Sequence, residues 1–356
     1  MVLTAKKMAF LALGAALLSW MLVGLLIKKA PAIRLMDRPN ERSLHTQTTP
    51  RGGGLGFILT WLVGCFVWWY WRGGEFVPWG SLTVFVAAVM IVAGISLWDD
   101  FRSIGAGIRL AVHLVCAAAA IAAFGYFRTV NVGFIVPLGW AGMLVTAIWI
   151  VGLTNVFNFM DGVDGIAGIQ GVVAGLAWSG AGGYLHSLTV AVFGTLLAGG
   201  CAGFLIRNWS PARIFMGDVG SAFLGFSFSA LPLIMLFEIK SRADAYVIAS
   251  VPGFALMVVW PFVADGMLTF SRRLLNREPV WKSHRGHLYQ RLVQAGLSHS
   301  TVALYYGLWA VTCSVAGFFY LTEGRGCWMW CLSLLFVGVT WGATVRLERR
   351  KKTANS

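Results

Sequence analysis

The feature that most constrains this chain is a series of long apolar stretches separated by short polar breaks. A helix needs roughly 20 mainly apolar residues to cross a bilayer, and we predict about eleven such spans, with ten as the alternative count. Only 12% of the residues are charged, against about 25% in ordinary soluble domains. A water-soluble enzyme, a disordered chain and a secreted disulfide scaffold are therefore excluded. The predicted spans cover residues 8–27, 55–71, 79–98, 107–127, 132–153, 166–184, 187–206, 219–237, 245–270, 301–320 and 327–345.

The fold class that follows is an all-α, polytopic integral membrane protein that forms a single transmembrane domain over residues 1–356. Pro252 and Pro261 lie inside the long ninth span, so we predict a kinked or broken helix there. The 43 glycines allow close helix packing within or between chains. A homodimer is left open on this basis.

The distribution of basic residues predicts the orientation in the membrane. Of the 28 Lys and Arg residues, 21 lie in the loops after the odd-numbered spans and in the C-terminus. Cytoplasmic loops carry this excess, so the N-terminus is predicted to be periplasmic and the C-terminus cytoplasmic. The net charge of +14 indicates contact with anionic lipid or substrate. No charged stretch is long enough to form a nucleic-acid-binding module, so no nucleic-acid partner is expected.

Most acidic residues fall on the same predicted side. Ten of the 14 Asp and Glu residues belong to the cytoplasmic face when Asp265, near the end of span nine, is included. Acidic side chains near hydrocarbon are costly and mark functional sites. We therefore expect an active site in the cytoplasmic loops, at about residues 28–54, 99–106, 154–165, 207–218 and 271–300.

Asp99 and Asp100 end the third span. Two adjacent carboxylates at the C-terminal pole of a helix repel each other and oppose the helix dipole, so a compensating cation is expected. The alternative is a solvated helix end neutralised by Arg102. Asp218 follows a glycine at the start of span eight, where it could bind a ligand or serve as an N-cap.

The segment Asn155-x-x-Asn158-x-x-Asp161-x-x-Asp164 repeats a polar side chain every three residues. This spacing drifts by about 60° per step on an α-helix, so one regular helix cannot direct all four at one ligand. We predict a helix end or tight loop at the membrane surface. Carboxylate and amide oxygens suit Mg²⁺, although a glycine-rich connector with incidental acids is the simpler alternative.

Two basic loops complete the predicted face. His45 and Arg51 lie before the run Gly52-Gly53-Gly54, which lacks the Lys of a Walker motif and on its own indicates only a flexible start to a helix. His284, Arg285 and His287 follow span nine and could bind a diphosphate or a metal, or belong to a solvated loop. Arg109 and His113 share a helix face, which snorkelling toward head groups explains equally well.

Taken in order, these motifs resemble the polyprenyl-phosphate N-acetylaminosugar-1-phosphate transferase family, glycosyltransferase family 4. The resemblance rests on Asp37-Arg-Pro-Asn-Glu-Arg-Ser-Leu-His45 with Pro-Arg-Gly-Gly-Gly, on Asp99-Asp100, on the 155–165 segment and on Phe-Met-Gly-Asp218-Val-Gly-Ser. The loop at 283–292 is similar to the O-antigen-initiating branch and favours a 6-deoxy-HexNAc donor. The donor itself, UDP-GlcNAc, UDP-GalNAc, UDP-FucNAc or UDP-QuiNAc, is left open.

The resemblance implies transfer of a HexNAc-1-phosphate from a UDP-sugar to undecaprenyl phosphate, with release of UMP, at the bacterial inner membrane. It implies Mg²⁺, with Mn²⁺ as a substitute, held by Asp218 with help from Asp100 or the Asp161/Asp164 pair. Asp99 is a candidate base. The substrate-binding residues would be Asn155, Asn158, His45, Arg51, His284, Arg285 and His287.

Other functions fit less of the sequence. The same reaction in teichoic-acid or peptidoglycan precursor synthesis is the nearest alternative. A cation-coupled transporter would place acids near the bilayer midplane and show an internal repeat, and neither is seen in the sequence. A CDP-alcohol phosphotransferase needs an Asp-Gly followed by Ala-Arg and two further spaced aspartates, a continuation that the 161–168 segment lacks.

Overall fold

The computed structural model describes residues 5–37, 39, 47–72, 77–278, 285–323 and 327–354. Within these residues the chain forms thirteen α-helices and two antiparallel ladders of two short strands each. The elements in chain order are α1 (Ala5–Lys29), β1 (Met36–Asp37), β2 (Thr49–Pro50), α2 (Gly54–Arg72), α3 (Trp79–Phe101), α4 (Ala106–Phe124), β3 (Thr129–Asn131), β4 (Ile135–Pro137), α5 (Ala141–Met160), α6 (Ile166–Tyr184), α7 (Leu188–Asn208), α8 (Asp218–Ile239), α9 (Ala245–Val258), α10 (Trp260–Leu275), α11 (Leu288–Gln294), α12 (His299–Glu323) and α13 (Cys327–Ala354).

Every predicted span contains a helix, which confirms the helical fold class. Among the described residues, seven helices are long and apolar enough to cross a membrane, and an eighth crossing is counted if α9 and α10 form one span. The helix α2 is a shorter apolar segment by the same measure. The chain is therefore a multi-pass membrane protein, while the count of about eleven crossings stays a prediction.

The predicted break in span nine is confirmed. The axes of α9 and α10 differ by 72°, and Val259, between the two helices, has φ −112° and ψ 12°. Pro261 lies in the first turn of α10, a position where the missing N–H of proline has no intrahelical partner to lose. Pro252 lies inside α9, so the break at Val259 is next to Pro261 and not at Pro252.

The predicted start of span five at residue 132 is wrong. Residues 129–137 form the β3–β4 hairpin, and α5 begins only at Ala141. The hairpin residues are apolar, so hydropathy does not separate them from the helix that follows. Asn131 fixes the turn, since its Oδ1 accepts from the Gly133 N–H at 2.9 Å and its Nδ2 donates to the Ser250 hydroxyl at 3.0 Å.

The centre of the bundle is formed by α7 and α8. The apolar windows of these helices are 83% and 89% buried, against 17% for α1. Glycines let the neighbouring helices approach α7 closely: a Cβ on Gly175 would lie 2.6 Å from the Ala198 nitrogen, and a Cβ on Gly203 would lie 2.1 Å from the Ala16 oxygen. The first residue of α8 therefore lies at one end of the most buried helix in the fold.

Several helix ends meet at that position. The C-terminus of α3 and the loop that follows α5 lie beside the start of α8, together with the start of α4. This group of helix ends carries the aspartate motifs, and we refer to it as the aspartate face. Its orientation toward the cytoplasm, and the sides of the two chain termini, stay predictions from the charge count.

Candidate active site

The aspartate face is assembled by two glycine-containing segments that bind each other through their backbones. The Gly53 N–H donates to the Phe215 carbonyl and the Gly54 N–H to the Met216 carbonyl, both at 2.9 Å. A Cβ on Gly54 would lie 2.3 Å from the Gly220 Cα. The Gly52-Gly53-Gly54 run is therefore needed for close approach to the Asp218 segment, which is more than the flexible helix start that the sequence indicated.

Asp100 fixes the start of α8 from a different helix. Its carboxylate accepts from the backbone N–H groups of Asp218 at 3.3 Å and Val219 at 3.2 Å. The first N–H groups of a helix have no intrahelical partner, and an anion there interacts favourably with the helix dipole. The N-cap position is Gly217, so the alternative reading of Asp218 as the N-cap is wrong.

The Arg51 side chain lies beside this contact, with its Nη1 3.7 Å from the Asp100 Oδ1. The Arg51 backbone N–H donates to the Leu35 carbonyl at 3.0 Å, which places the side chain close to the β1–β2 ladder. Arg51 is thus brought to the aspartate face, as the sequence predicted. His45 lies outside the described residues.

Arg109 is a site residue that the sequence analysis named without choosing between a functional role and snorkelling. Its Nη1 lies 2.5 Å from the Asp99 Oδ2 and 3.3 Å from the Asp218 Oδ2, so one guanidinium links two aspartate motifs. The Ile104 N–H donates to the other oxygen of Asp99 at 2.6 Å. Arg109 does not simply extend toward head groups. Its place just after the short turn that follows Asp99 was the available signal.

The two asparagines of the 155–164 segment make different contacts: Asn158 bonds a neighbouring helix, and Asn155 bonds its own helix. The helix α5 ends at Met160, so both asparagines lie in its last turns and a helix end follows, as predicted. The Asn158 Nδ2 donates to the Ser221 hydroxyl at 3.1 Å, which holds it against the first turn of α8. The Asn155 Nδ2 donates to the Val151 carbonyl of its own helix at 2.7 Å.

Asp161 and Asp164 lie in different surroundings although they belong to one loop. Burial, followed by the negative charges of Asp218 and Asp100, raises the pKa of Asp161 well above its ordinary value. Burial alone would also raise the pKa of Asp164, but the hydrogen bond and charge of His299, 3.3 Å away, and the Ala212 N–H at 3.2 Å hold that pKa below its ordinary value. Asp161 thus joins the other aspartates, whereas Asp164 is directed toward α12.

The charges of the aspartate face are unbalanced. Asp99, Asp100, Asp161 and Asp218 interact with only two described guanidinium groups, those of Arg51 and Arg109. Such an arrangement favours a bound cation, because like charges held together in a partly buried site repel each other.

The carboxylates of the aspartate face fit Mg²⁺ if substrate phosphates and water supply the other ligands. No group of three or more His, Cys, Asp or Glu side chains in the described residues forms a ready-made metal cage. Mg²⁺ is commonly bound by one or two carboxylates together with waters and substrate phosphates. The Asp218 side chain is 38% exposed, compared with 12% for Asp99 and 3% for Asp100, so Asp218 is the most accessible of these three carboxylates.

Asp265 holds the last predicted loop, residues 271–300. The sequence analysis had assigned this residue to the cytoplasmic face but had given it no role. The Nδ1 of His287 lies 3.2 Å from the Oδ1 of Asp265, which is fully buried in α10. The Arg285 carbonyl accepts from the Gln294 Nε2 at 3.2 Å. His284 lies outside the described residues, and the substrate-binding roles of Arg285 and His287 stay predictions.

Comparison with known proteins identifies a family for the segment that carries the aspartate motifs. Residues 82–236, which contain all five aspartates of the three motifs, match the family described as glycosyl transferase family 4. The chain is 30% identical over 296 residues to a Bacillus subtilis protein named probable undecaprenyl-phosphate N-acetylglucosaminyl 1-phosphate transferase, covering 80% of this chain and 77% of that protein.

Two further relatives extend the comparison. The decaprenyl-phosphate N-acetylglucosaminephosphotransferase of Mycobacterium leprae is 30% identical over 326 residues, which covers 85% of this chain and 81% of that protein. A phospho-N-acetylmuramoyl-pentapeptide-transferase of Listeria monocytogenes is 37% identical over 158 residues, or 44% of this chain and 48% of that protein. With the helical membrane fold and the aspartate motifs, these matches show that the chain belongs to glycosyl transferase family 4.

Proposed function

We propose that this protein transfers a HexNAc-1-phosphate from a UDP-sugar to undecaprenyl phosphate and releases UMP. The observation that carries the proposal is the convergence of four carboxylates and two guanidinium groups at one end of a membrane-embedded helical bundle. The relatives are named as transferases that act on undecaprenyl or decaprenyl phosphate. A site at the end of the bundle is suited to a lipid phosphate and a water-soluble nucleotide sugar.

The reaction exchanges one phosphoanhydride bond for another. An oxygen of the lipid phosphate forms a bond to the sugar-bearing phosphorus of the donor, and the bond from that phosphorus to the oxygen bridging the two phosphates breaks. UMP leaves with the bridging oxygen. Because both reactants are anions, positioning and charge neutralisation supply most of the rate in phosphoryl transfer.

Asp218 and Asp161 are the proposed holders of Mg²⁺, which when bound would neutralise the diphosphate of the donor. Asp218 is accessible, and burial together with the nearby charges of Asp218 and Asp100 raises the pKa of Asp161, so a cation bound between these carboxylates would relieve their repulsion. Asp100 is directed to the start of α8 and Asp164 to His299. We therefore assign these two a role in holding the site together.

Asp99 is a weaker candidate for a base than the sequence suggested. Both of its oxygens already accept, one from Arg109 and one from the Ile104 N–H. A phosphate monoester with a second pKa of about 6 is mostly dianionic at roughly pH 7, so the lipid phosphate needs little deprotonation. We propose that Asp99 orients Arg109, whose guanidinium can then face the phosphates.

The remaining substrate contacts are proposed from the sequence motifs and from position. Arg51 lies beside Asp100 and Asn158 lies beside Ser221 at the start of α8, where they can reach the donor diphosphate or nucleotide. The other proposed contacts are Asn155, His45, His284, Arg285 and His287.

The proposal also concerns which sugar the donor carries and which polymer the product initiates. The names of two relatives specify N-acetylglucosamine, which favours UDP-GlcNAc over a 6-deoxy-HexNAc donor. O-antigen initiation rests on the 283–292 loop alone. One relative is named a phospho-N-acetylmuramoyl-pentapeptide-transferase, which supports the alternative of peptidoglycan precursor synthesis.

A panel of donors tests both the proposed reaction and the identity of the donor sugar. Purified protein is incubated with undecaprenyl phosphate, Mg²⁺ and each of UDP-GlcNAc, UDP-GalNAc, UDP-FucNAc and UDP-QuiNAc, and UMP is measured. We expect UMP only when lipid phosphate and Mg²⁺ are both present, with UDP-GlcNAc the best donor. UMP from a 6-deoxy donor alone would revise the donor, whereas no UMP from any donor would refute the reaction.

A further inference from the structure

Asp265 is a fully buried carboxylate outside the three aspartate motifs. A buried charge is costly unless it is paired and hydrogen-bonded, and this one is surrounded by donors from its own helix and from two other segments of the chain, the start of α11 and α12. The groups that donate to it, or lie within hydrogen-bond distance, are the Thr269 hydroxyl at 3.1 Å, His287 Nδ1 at 3.2 Å, the Leu288 N–H at 2.9 Å, the Tyr289 N–H at 3.0 Å and the Tyr306 hydroxyl at 2.7 Å.

These contacts place the start of α11. Leu288 and Tyr289 are its first two residues, and their N–H groups have no partner within the helix. Asp265 accepts from both of them and lies beside the ring of His287, the preceding residue. One carboxylate in α10 thus sets the position of the His287 ring and of the helix that follows it.

The start of α11 is in turn connected to the aspartate face. The Tyr289 hydroxyl donates to the Phe159 carbonyl at 2.9 Å, two residues before Asp161. A Cβ on Gly162 would lie 2.2 Å from the same hydroxyl. Tyr289 therefore packs directly on the loop that carries Asp161, and a shift of α11 would be transmitted to that loop.

We propose that Asp265 is a positioning residue: it holds His287 and Tyr289 in place against the aspartate face without being part of the reacting group itself. The inference rests on the proposed function for its kinetic consequences, because His287 is a proposed substrate contact. A role limited to joining α10 and α12 would affect overall stability but would not act through His287.

A matched pair of tyrosine variants tests this role. Tyr306→Phe removes one donor to Asp265, whereas Tyr305→Phe removes the neighbouring phenol, which bonds the Thr340 hydroxyl at 2.7 Å instead. We expect Tyr306→Phe to accelerate hydrogen exchange at the Leu288 and Tyr289 amides about threefold to tenfold and to raise the KM for the donor by a similar factor. The kcat should change by less than about twofold, and Tyr305→Phe should match wild type in exchange and KM.

A double-mutant comparison separates positioning from general stability. If Asp265 acts through His287, Tyr306→Phe should raise KM in the wild-type background but have no further effect in a His287→Ala background. Thr269→Val, which also removes a donor to Asp265, is the second variant if Tyr306→Phe does not fold. Unchanged exchange and KM in the folded variant, or effects that simply multiply with His287→Ala, would overturn the proposal.

Different results would refute the proposed transferase function and the positioning role of Asp265. Absence of UMP release by the wild-type protein refutes the proposed function, and amide exchange then still decides whether Asp265 holds α11. Wild-type turnover together with identical exchange and KM in Tyr306→Phe and Tyr305→Phe refutes only the positioning role.

Discussion

Replacement of Gly54 by alanine should separate the two backbone segments that form the aspartate face. A Cβ at this position would lie 2.3 Å from the Gly220 Cα, whereas non-bonded carbon atoms pack at about 3.5–4.0 Å. The segments must therefore move apart by about 1 Å, which strains or breaks the hydrogen bonds from Gly53 to Phe215 and from Gly54 to Met216. Loss of both would cost about 1–3 kcal/mol of unfolding free energy.

The same shift should lower activity, since displacement of catalytic groups by about 1 Å can reduce a rate by roughly 100-fold. Gly107→Ala is the matched control, because it also lies in the first turn of a helix and its Cβ would meet no atom of the described chain within 4 Å. Thermal unfolding in detergent and UMP release are measured for both variants. Equal stability and activity of Gly54→Ala and Gly107→Ala would show that close approach of these segments is not required.

Three further predictions concern individual charges. Arg109→Gln should reduce kcat/KM by more than tenfold, because Asp99 and Asp218 lose their shared cation; UMP release checks this, and Arg109→Lys should restore part of the activity. Burial and nearby negative charges raise the pKa of Asp161, so protons compete with Mg²⁺ for its carboxylate above the ordinary carboxylate range. The Mg²⁺ concentration for half-maximal activity should therefore rise as pH falls through that raised pKa, and Asp161→Asn should weaken this dependence. Asp164→Asn should lower stability by about 1–3 kcal/mol through its contacts with His299 and Ala212 and reduce kcat less than Asp218→Asn does, as measured by thermal unfolding and UMP release.

The sequence predicted the parts of this fold that depend on local composition. Apolar length identified a helix at every predicted span, and the two prolines at 252 and 261 predicted a break within span nine, which the structure has between α9 and α10. The β3–β4 hairpin was missed because its residues are as apolar as those of α5. Hydropathy measures the preference for an apolar environment and does not distinguish a short strand from a helix start.

Assignment of the loops to one side of the membrane predicted which motifs meet at the site. Asp99, Asp161 and Asp218 meet as expected, but which atom each one contacts depends on packing between helices that are distant in sequence. Asp100 bonds an N–H 118 residues away, and Asp265 bonds the hydroxyl of Tyr306, which belongs to α12. No local pattern encodes such contacts, so the partners of Arg109 and Asp265 were found only in the structure.

The most direct test of the central claim is UMP release by wild type and Asp218→Asn across a series of Mg²⁺ concentrations, with undecaprenyl phosphate and UDP-GlcNAc as substrates. The account predicts that wild type releases UMP only when lipid phosphate and Mg²⁺ are both present. Asp218→Asn should lose nearly all of this activity or require far more Mg²⁺. Full turnover by Asp218→Asn with an unchanged Mg²⁺ dependence would contradict the account.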